Sequence, residues 1–210
     1  MKARLLYVMD PMCSWCWGFA PVMEALAEQA RLYGVPMHLV VGGLRRERVA
    51  MDAAARVRTL SYWQAVEETT GQPFTIDNAL PEGFVYDTEP ACRALVAARG
   101  LDEQAVWPLA KLIQRAFYVE NSDVTQPAVL VELAEKVGLP RIEFAPAFDA
   151  PETRAATQAD FDWALNLGIA GFPTLLAERE GQLALVTNGY QPLDNLSELL
   201  GMWLVRGTEF

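Results

Sequence analysis

"DPMCSWCWGF", residues Asp10–Phe19, sets two cysteines three apart directly after a short apolar run. That run, "ARLLYVM" (Ala3–Met9), has the length and composition of a buried strand. Beyond the cysteines, Phe19, Val22, Met23, Leu26 and Ala30 recur at helical spacing, and Gly34 supplies a stop. The spacing predicts a helix over Cys13–Arg31, kinked where Pro21 lacks a backbone donor. Cys13 and Cys16 then face the same way on its first turn. One helical turn supplies the Cα separation of roughly 4.4–6.8 Å that a disulfide needs. The unpaired N–H groups and positive dipole end of the helix stabilise a thiolate at Cys13. Cys16 lies a turn deeper and should stay a thiol until it is needed. That asymmetry suits an attacking and a resolving cysteine.

Two other readings fit the same residues: half of a metal site, or two small core side chains. A structural zinc takes four ligands, and Cys92 and His38 are the remaining Cys and His residues. His38, flanked by Met37 and Leu39, reads as an ordinary strand residue. Spacing alone leaves all three readings open.

Working outward, "VPMHLVVGG" (Val35–Gly43) reads as a second strand. Strand–helix–strand implies a right-handed parallel crossover. Residues 44–150 carry helical periods and little strand signal. Within them, "TEPACRALVAARG" offers a Thr88 cap, Pro90 in the first turn and Gly100 as terminator. "LDEQAVWPLAKLIQRAFYVEN" and "DVTQPAVLVELAEKVGLP" read as two more amphipathic helices, and "TGQPFTIDNALPEGFVYD" as a loop. Cys92 reads as a small buried hydrophobe, with a regulatory thiol as the alternative. The basic run Arg45, Arg46, Arg48 reads as a solvated face, with an anion site as the alternative.

The last quarter returns to α/β. "PETRAATQADFDWALNLG" is a helix, "FPTLLAE" and "QLALVTN" are strands joined by "REGQ", and "PLDNLSELLGMWLV" is a closing helix. The predicted class is therefore α/β: a thioredoxin fold with an inserted all-helical domain. Residues 1–43 and 151–210 form the discontinuous thioredoxin-like domain, and 44–150 the insertion. The insertion should cover the face carrying the cysteines.

"GIAGFPTLL" (Gly168–Leu176) places Pro173 at the start of a strand. Proline cannot donate to a ladder, so an open sheet edge is expected there. With a cis bond at Phe172–Pro173, the Phe172 backbone could sit beside Cys13 and pair with an extended substrate. Met12, Ser14, Trp15, Trp17, Phe172 and Pro173 are candidate groove-lining residues around Cys13, with ordinary core filling as the equal alternative for Met12, Trp15, Trp17 and Phe172.

The cysteine motif, the helical block and the later "GIAGFPT" element, in that order, resemble the DsbA-like thioredoxin superfamily, and within it the cytoplasmic FrnE-like branch of predicted protein-disulfide isomerases. Asp10, three before the first cysteine, and Trp15 inside the motif both fit that branch. The resemblance covers the whole chain. It implies thiol–disulfide oxidoreductase activity with Cys13 as nucleophile, Cys16 as resolver and Pro173 as a cis-proline. Two features differ from periplasmic DsbA proteins. Ser14-Trp15 replaces a dipeptide containing histidine, and Tyr7 stands where those proteins tend to bury an acid. A strongly oxidising potential is therefore not expected. In a reducing compartment, reductase or isomerase is the favoured direction.

The net charge of −10 argues against a nucleic-acid surface or an anionic membrane. The N-terminal apolar run is too short for a span and is followed by Asp10-Pro11 rather than a cleavage site, so a cytoplasmic protein is expected. No metal and no cofactor are expected, beyond glutathione as a co-substrate. The expected partner is a protein or small thiol bearing a disulfide or dithiol, and a homodimer is left open. Two rival functions remain. One is a glutathione-dependent enzyme of the kappa transferase or 2-hydroxychromene-2-carboxylate isomerase type, which shares the architecture but typically has Ser at the first cysteine. The other is a non-enzymatic chaperone or binding module.

Overall fold

The computed structural model describes residues 3–206, so residues 1–2 and 207–210 of the expected thioredoxin-like segments lie outside it. Strand β1 (Ala3–Met9) is followed by helix α1 (Ser14–Leu32) and strand β2 (Met37–Val41). Five helices come next: α2 (Ala53–Thr70), α3 (Glu89–Leu101), α4 (Glu103–Tyr118), α5 (Pro127–Lys136) and α6 (Arg141–Asp149). The chain closes with α7 (Pro151–Asn166), β3 (Thr174–Arg179), β4 (Gln182–Asn188) and α8 (Leu193–Val205).

The sheet order is β2-β1-β3-β4. β1 and β2 are parallel, with Val8 opposite Val40, as the intervening helix requires. β3 runs antiparallel to β1 and to β4. β1 is apolar almost throughout because both of its faces are covered. The buried leucines and valines of the sheet meet α1 and α8 on one face. On the other, Val8 and Val40 pack with Ala164 of α7.

The placement of β3 corrects one expectation. Pro173 does not open a sheet edge, because Thr174 pairs with Val8 on one side and with Asn188 on the other. The proline precedes a central strand, and the unpaired group is Phe172, just ahead of the ladder.

The helices between β2 and α7 do not form a separate core. One continuous apolar cluster runs from Tyr7 and Phe19 through Trp63, Phe117 and Tyr118 to Phe144. Along α2 only Thr59, Trp63 and Val66 are buried. It is held instead by its caps. Asp52 accepts from the Ala55 N–H at 2.6 Å, and Gly71 takes the left-handed conformation at the other end. Between α3 and α7, Arg99 makes a two-pronged ion pair with Asp160, while Asp160 also accepts from the Val41 N–H. This ties both helices to the end of β2. Among the described residues, no helix is long and apolar enough to cross a membrane.

Candidate active site

The turn that carries the cysteines is shaped by Asp10. Its carboxylate accepts from the Met12 N–H at 2.8 Å, and its backbone carbonyl accepts from the Cys13 N–H at 3.0 Å. Cys13 is the extended residue that begins α1. The Trp17 N–H closes the first helical turn onto the Cys13 carbonyl at 3.1 Å. Cys16 is therefore one turn in, and its thiol is hydrogen-bonded to Cys13.

Both sulfurs are buried, Cys13 at 5% exposure and Cys16 at 0%, and neither is disulfide-bonded. Burial pushes the Cys16 thiol well above its usual range, and Cys13 and the Asp10 carboxylate push it further up. Burial thus favours the neutral thiol at Cys16.

The second half of the site arrives from the far end of the chain. The Phe172–Pro173 peptide bond is cis. The Cys13 thiol donates to the Phe172 carbonyl at 3.6 Å. The Pro173 carbonyl accepts from the Gly189 N–H at 2.7 Å, which anchors the loop to the end of β4. Gly42, at the end of β2, makes room for the Phe172 ring: a Cβ there would lie 2.1 Å from the ring. Ser14, Trp15 and Phe172 are partly exposed around Cys13, and Trp15 packs near Tyr190 with ring centroids 5.8 Å apart.

Two expected groove residues are placed elsewhere. Met12 is wholly buried. Trp17 is buried too, donating from its indole to the Pro73 carbonyl at 3.0 Å and stacking on Tyr118. Both side chains belong to the buried apolar cluster, and Trp17 meets the helical block through Tyr118.

The helical block reaches this site through residues that sequence reading missed. The Tyr86 hydroxyl donates to the Met12 carbonyl at 2.7 Å, and the Gln72 side chain donates to the Trp17 carbonyl at 3.0 Å. Thr88 does not cap α3 with its side chain. Its hydroxyl donates instead to Asp10 at 2.6 Å. Asp10 also accepts from the Leu44 N–H at 2.7 Å and from the Cys92 thiol at 3.4 Å. So Cys92 is buried, as expected, but it lies against an acid rather than only among hydrocarbons. Even with these donors, burial wins and raises the Asp10 carboxyl above its ordinary value. Nothing local marks Tyr86 or Gln72 in the sequence, since both lie in the loop read only as a connection; Thr88, beside that loop, was read as a helix cap and not as a partner of Asp10.

Tyr7, on β1, is fully buried, with its hydroxyl against the Cys16 thiol. Its hydroxyl lies in the electrostatic reach of Cys13 and Cys16, and burial pushes its ionisation far up. Among the described residues, no group of three or more His, Cys, Asp or Glu side chains is placed to hold a metal. His38 pairs with Glu103 at 2.6 Å, away from the cysteines in the contacts it makes.

Comparison with known proteins matches residues 4–201 to the DSBA-like thioredoxin domain. A solved structure provisionally described as a protein disulfide isomerase, from Nitrosomonas europaea, is 43% identical with a TM-score of 0.91, covering 98% of this chain and 99% of that one. The cytosolic disulfide reductase DsbM from Pseudomonas aeruginosa is 31% identical with a TM-score of 0.79, over 96% of this chain and 99% of that one; it has also been solved with GSH. A curated relative, the ClpXP adapter protein SpxH of Halalkalibacterium halodurans, is 23% identical over 80% of this chain, which spans 56% of that relative's length. With a family model spanning nearly the whole chain laid over this arrangement of cysteines and proline loop, the chain belongs to the DSBA-like thioredoxin domain family.

Proposed function

We propose that this protein is a thiol–disulfide oxidoreductase in which Cys13 is the nucleophile, Cys16 resolves, and the Phe172 backbone receives the substrate. The observation that carries the reading is the approach of the Cys13 sulfur to the Phe172 carbonyl at 3.6 Å, with Cys16 held as a thiol behind it. An extended substrate chain can hydrogen-bond to the backbone beside Pro173 and so set its sulfur in line with Cys13.

In the reductive direction the Cys13 thiolate attacks one sulfur of a substrate disulfide. A Cys13–substrate disulfide forms, and the other substrate sulfur leaves as a thiolate that takes a proton from solvent. Cys16 then loses its proton and attacks the Cys13 sulfur. The Cys13–Cys16 disulfide forms and the second substrate thiolate departs. Two electrons pass to the substrate, and an external thiol or dithiol returns them. The Asp10 carboxylate bears electrostatically on Cys16 and helps to hold it as the neutral thiol, while burial raises the Asp10 carboxyl itself. The similarity to a cytosolic disulfide reductase favours this direction, a reducing compartment and a protein or small-thiol partner.

The deciding experiment is trapping. Cys16→Ser should accumulate a mixed disulfide on Cys13, seen by intact-mass spectrometry, and Cys13→Ser should form none. Absence of any adduct on Cys16→Ser would sink the reading. A glutathione-dependent transferase or isomerase would not need Cys16, so full activity in Cys16→Ser would favour it. The adapter named among the relatives favours a second reading, a protein-binding module. Under that reading Cys13→Ser keeps partner binding or aggregation suppression undiminished.

A further inference from the structure

Beside the cysteines lies a pocket of about 210 Å³ that shares one wall with them, the Phe172 ring. Its floor is the glycine pair that ends β2. Gly42 yields to the Phe172 ring, and a Cβ on Gly43 would lie 2.9 Å from the Phe161 ring. Gly43 also has φ +68°, a backbone conformation that side chains other than glycine rarely adopt. Both rings can line the pocket because neither glycine carries a side chain.

At the mouth stands Arg46. Its guanidinium lies over the Phe161 ring, 5.5 Å from the centroid, and donates to Gln158 at 2.6 Å. Gln158 donates in turn to Asp162 at 2.7 Å. This chain of contacts orients the guanidinium and leaves most of its five donors unused. Asp162 is the acidic group in the pocket, and Gln158 stands between it and Arg46 in the hydrogen-bond chain. A pre-positioned arginine above an aromatic wall suits a carboxylate on a short aliphatic stem.

We propose that this pocket is a carboxylate subsite of the reaction described above, and that Arg46 selects disulfides bearing a carboxylate within a few residues of the reacting sulfur. The inference rests on the thiol–disulfide reading, because only a substrate held at Cys13 and Phe172 is presented to the pocket. An extended chain advances about 3.3–3.6 Å per residue, so one or two residues carry it past the Phe172 ring. The carboxylate can come from a small peptide thiol such as glutathione or from an acidic side chain of a protein substrate.

The test compares two substrate pairs and one uncharged disulfide on wild type and Arg46→Gln, which removes the charge and leaves a polar amide. Glutathione disulfide is set against its esterified form. A peptide disulfide with Glu beside the cysteine is set against the same peptide with Gln. The uncharged bis(2-hydroxyethyl) disulfide reports the chemistry alone. Wild type should favour the carboxylate member of at least one pair by about tenfold in kcat/KM, more at low salt. Arg46→Gln should lose that preference while reducing the uncharged disulfide at the wild-type rate. Loss confined to the glutathione pair assigns the pocket to a small thiol, and loss confined to the peptide pair assigns it to a protein chain. No preference in wild type, or a preference unchanged in Arg46→Gln, overturns the subsite while leaving the reaction standing. Failure of wild type to reduce any of these disulfides overturns the thiol–disulfide reading itself.

Discussion

Cys13 and Phe172 are 159 residues apart in the chain, and the thiol of one donates to the carbonyl of the other at 3.6 Å. The contact exists because β1 and β3 are antiparallel neighbours, with Val8 opposite Thr174. The turn that leaves the C-terminal end of β1 and the loop that enters β3 therefore meet at the same end of the sheet. A residue that disturbs either one should be felt as lost activity before it is felt as lost stability.

Gly42→Ala tests that coupling. The added Cβ would lie 2.1 Å from the Phe172 ring, so the ring and its carbonyl must shift. Overpacking of this kind costs about 1–3 kcal/mol, readable as a lower urea midpoint. Misplacing the substrate-pairing backbone should lower kcat/KM by about tenfold or more in the protein that remains folded. An unchanged kcat/KM would separate Phe172 from catalysis.

The resolving step should accelerate with rising pH. Burial and the neighbouring Cys13 hold Cys16 well above the ordinary thiol range, so near neutral pH only a small fraction is thiolate. Decay of a preformed mixed disulfide on Cys13, followed by rapid quench, should quicken about tenfold per pH unit through neutrality. A flat profile would mean that deprotonation of Cys16 does not limit resolution.

Asp10 should make the fold more stable in mild acid relative to an Asp10→Asn variant. Its folded carboxyl is raised above the unfolded value by burial, so the native state binds the proton more tightly than the unfolded chain. Stability from this group is complete below the unfolded carboxyl value and falls away as pH rises through the higher folded value. The difference in melting temperature between wild type and Asp10→Asn should shift in favour of wild type on acidification through that window. A difference independent of pH would contradict the raised carboxyl.

Trp17→Phe should behave as a core substitution. The indole is buried, donates to Pro73 and stacks on Tyr118. Losing the hydrogen bond and part of the ring should cost about 1–2 kcal/mol in denaturant titration. The kcat/KM of folded protein should stay within about twofold of wild type. A large rise in KM with stability intact would return Trp17 to the substrate groove.

Much of this molecule was determined by local patterning. The apolar run Ala3–Met9, the i, i+3 cysteines and the helical periods of α1, α3, α4 and α5 are all properties of a few consecutive residues, and they specified the α/β layout and the order of its elements and singled out Cys13 and Cys16 as candidates. The proline of "GFPT" was legible for the same reason, since proline constrains its own backbone whatever surrounds it. Tertiary structure decided what depends on which surfaces meet. It put β3 in the middle of the sheet, turned Met12 and Trp17 into the core, and took Thr88 away from its helix to Asp10. It also gathered Asp10, Thr88 and Cys92 into one buried cluster from three separate stretches, with the Leu44 backbone N–H reaching the same carboxylate. A buried carboxylate must find donors wherever the packed chain brings them, and amphipathic periodicity says which face of a helix is buried but not which neighbour covers it.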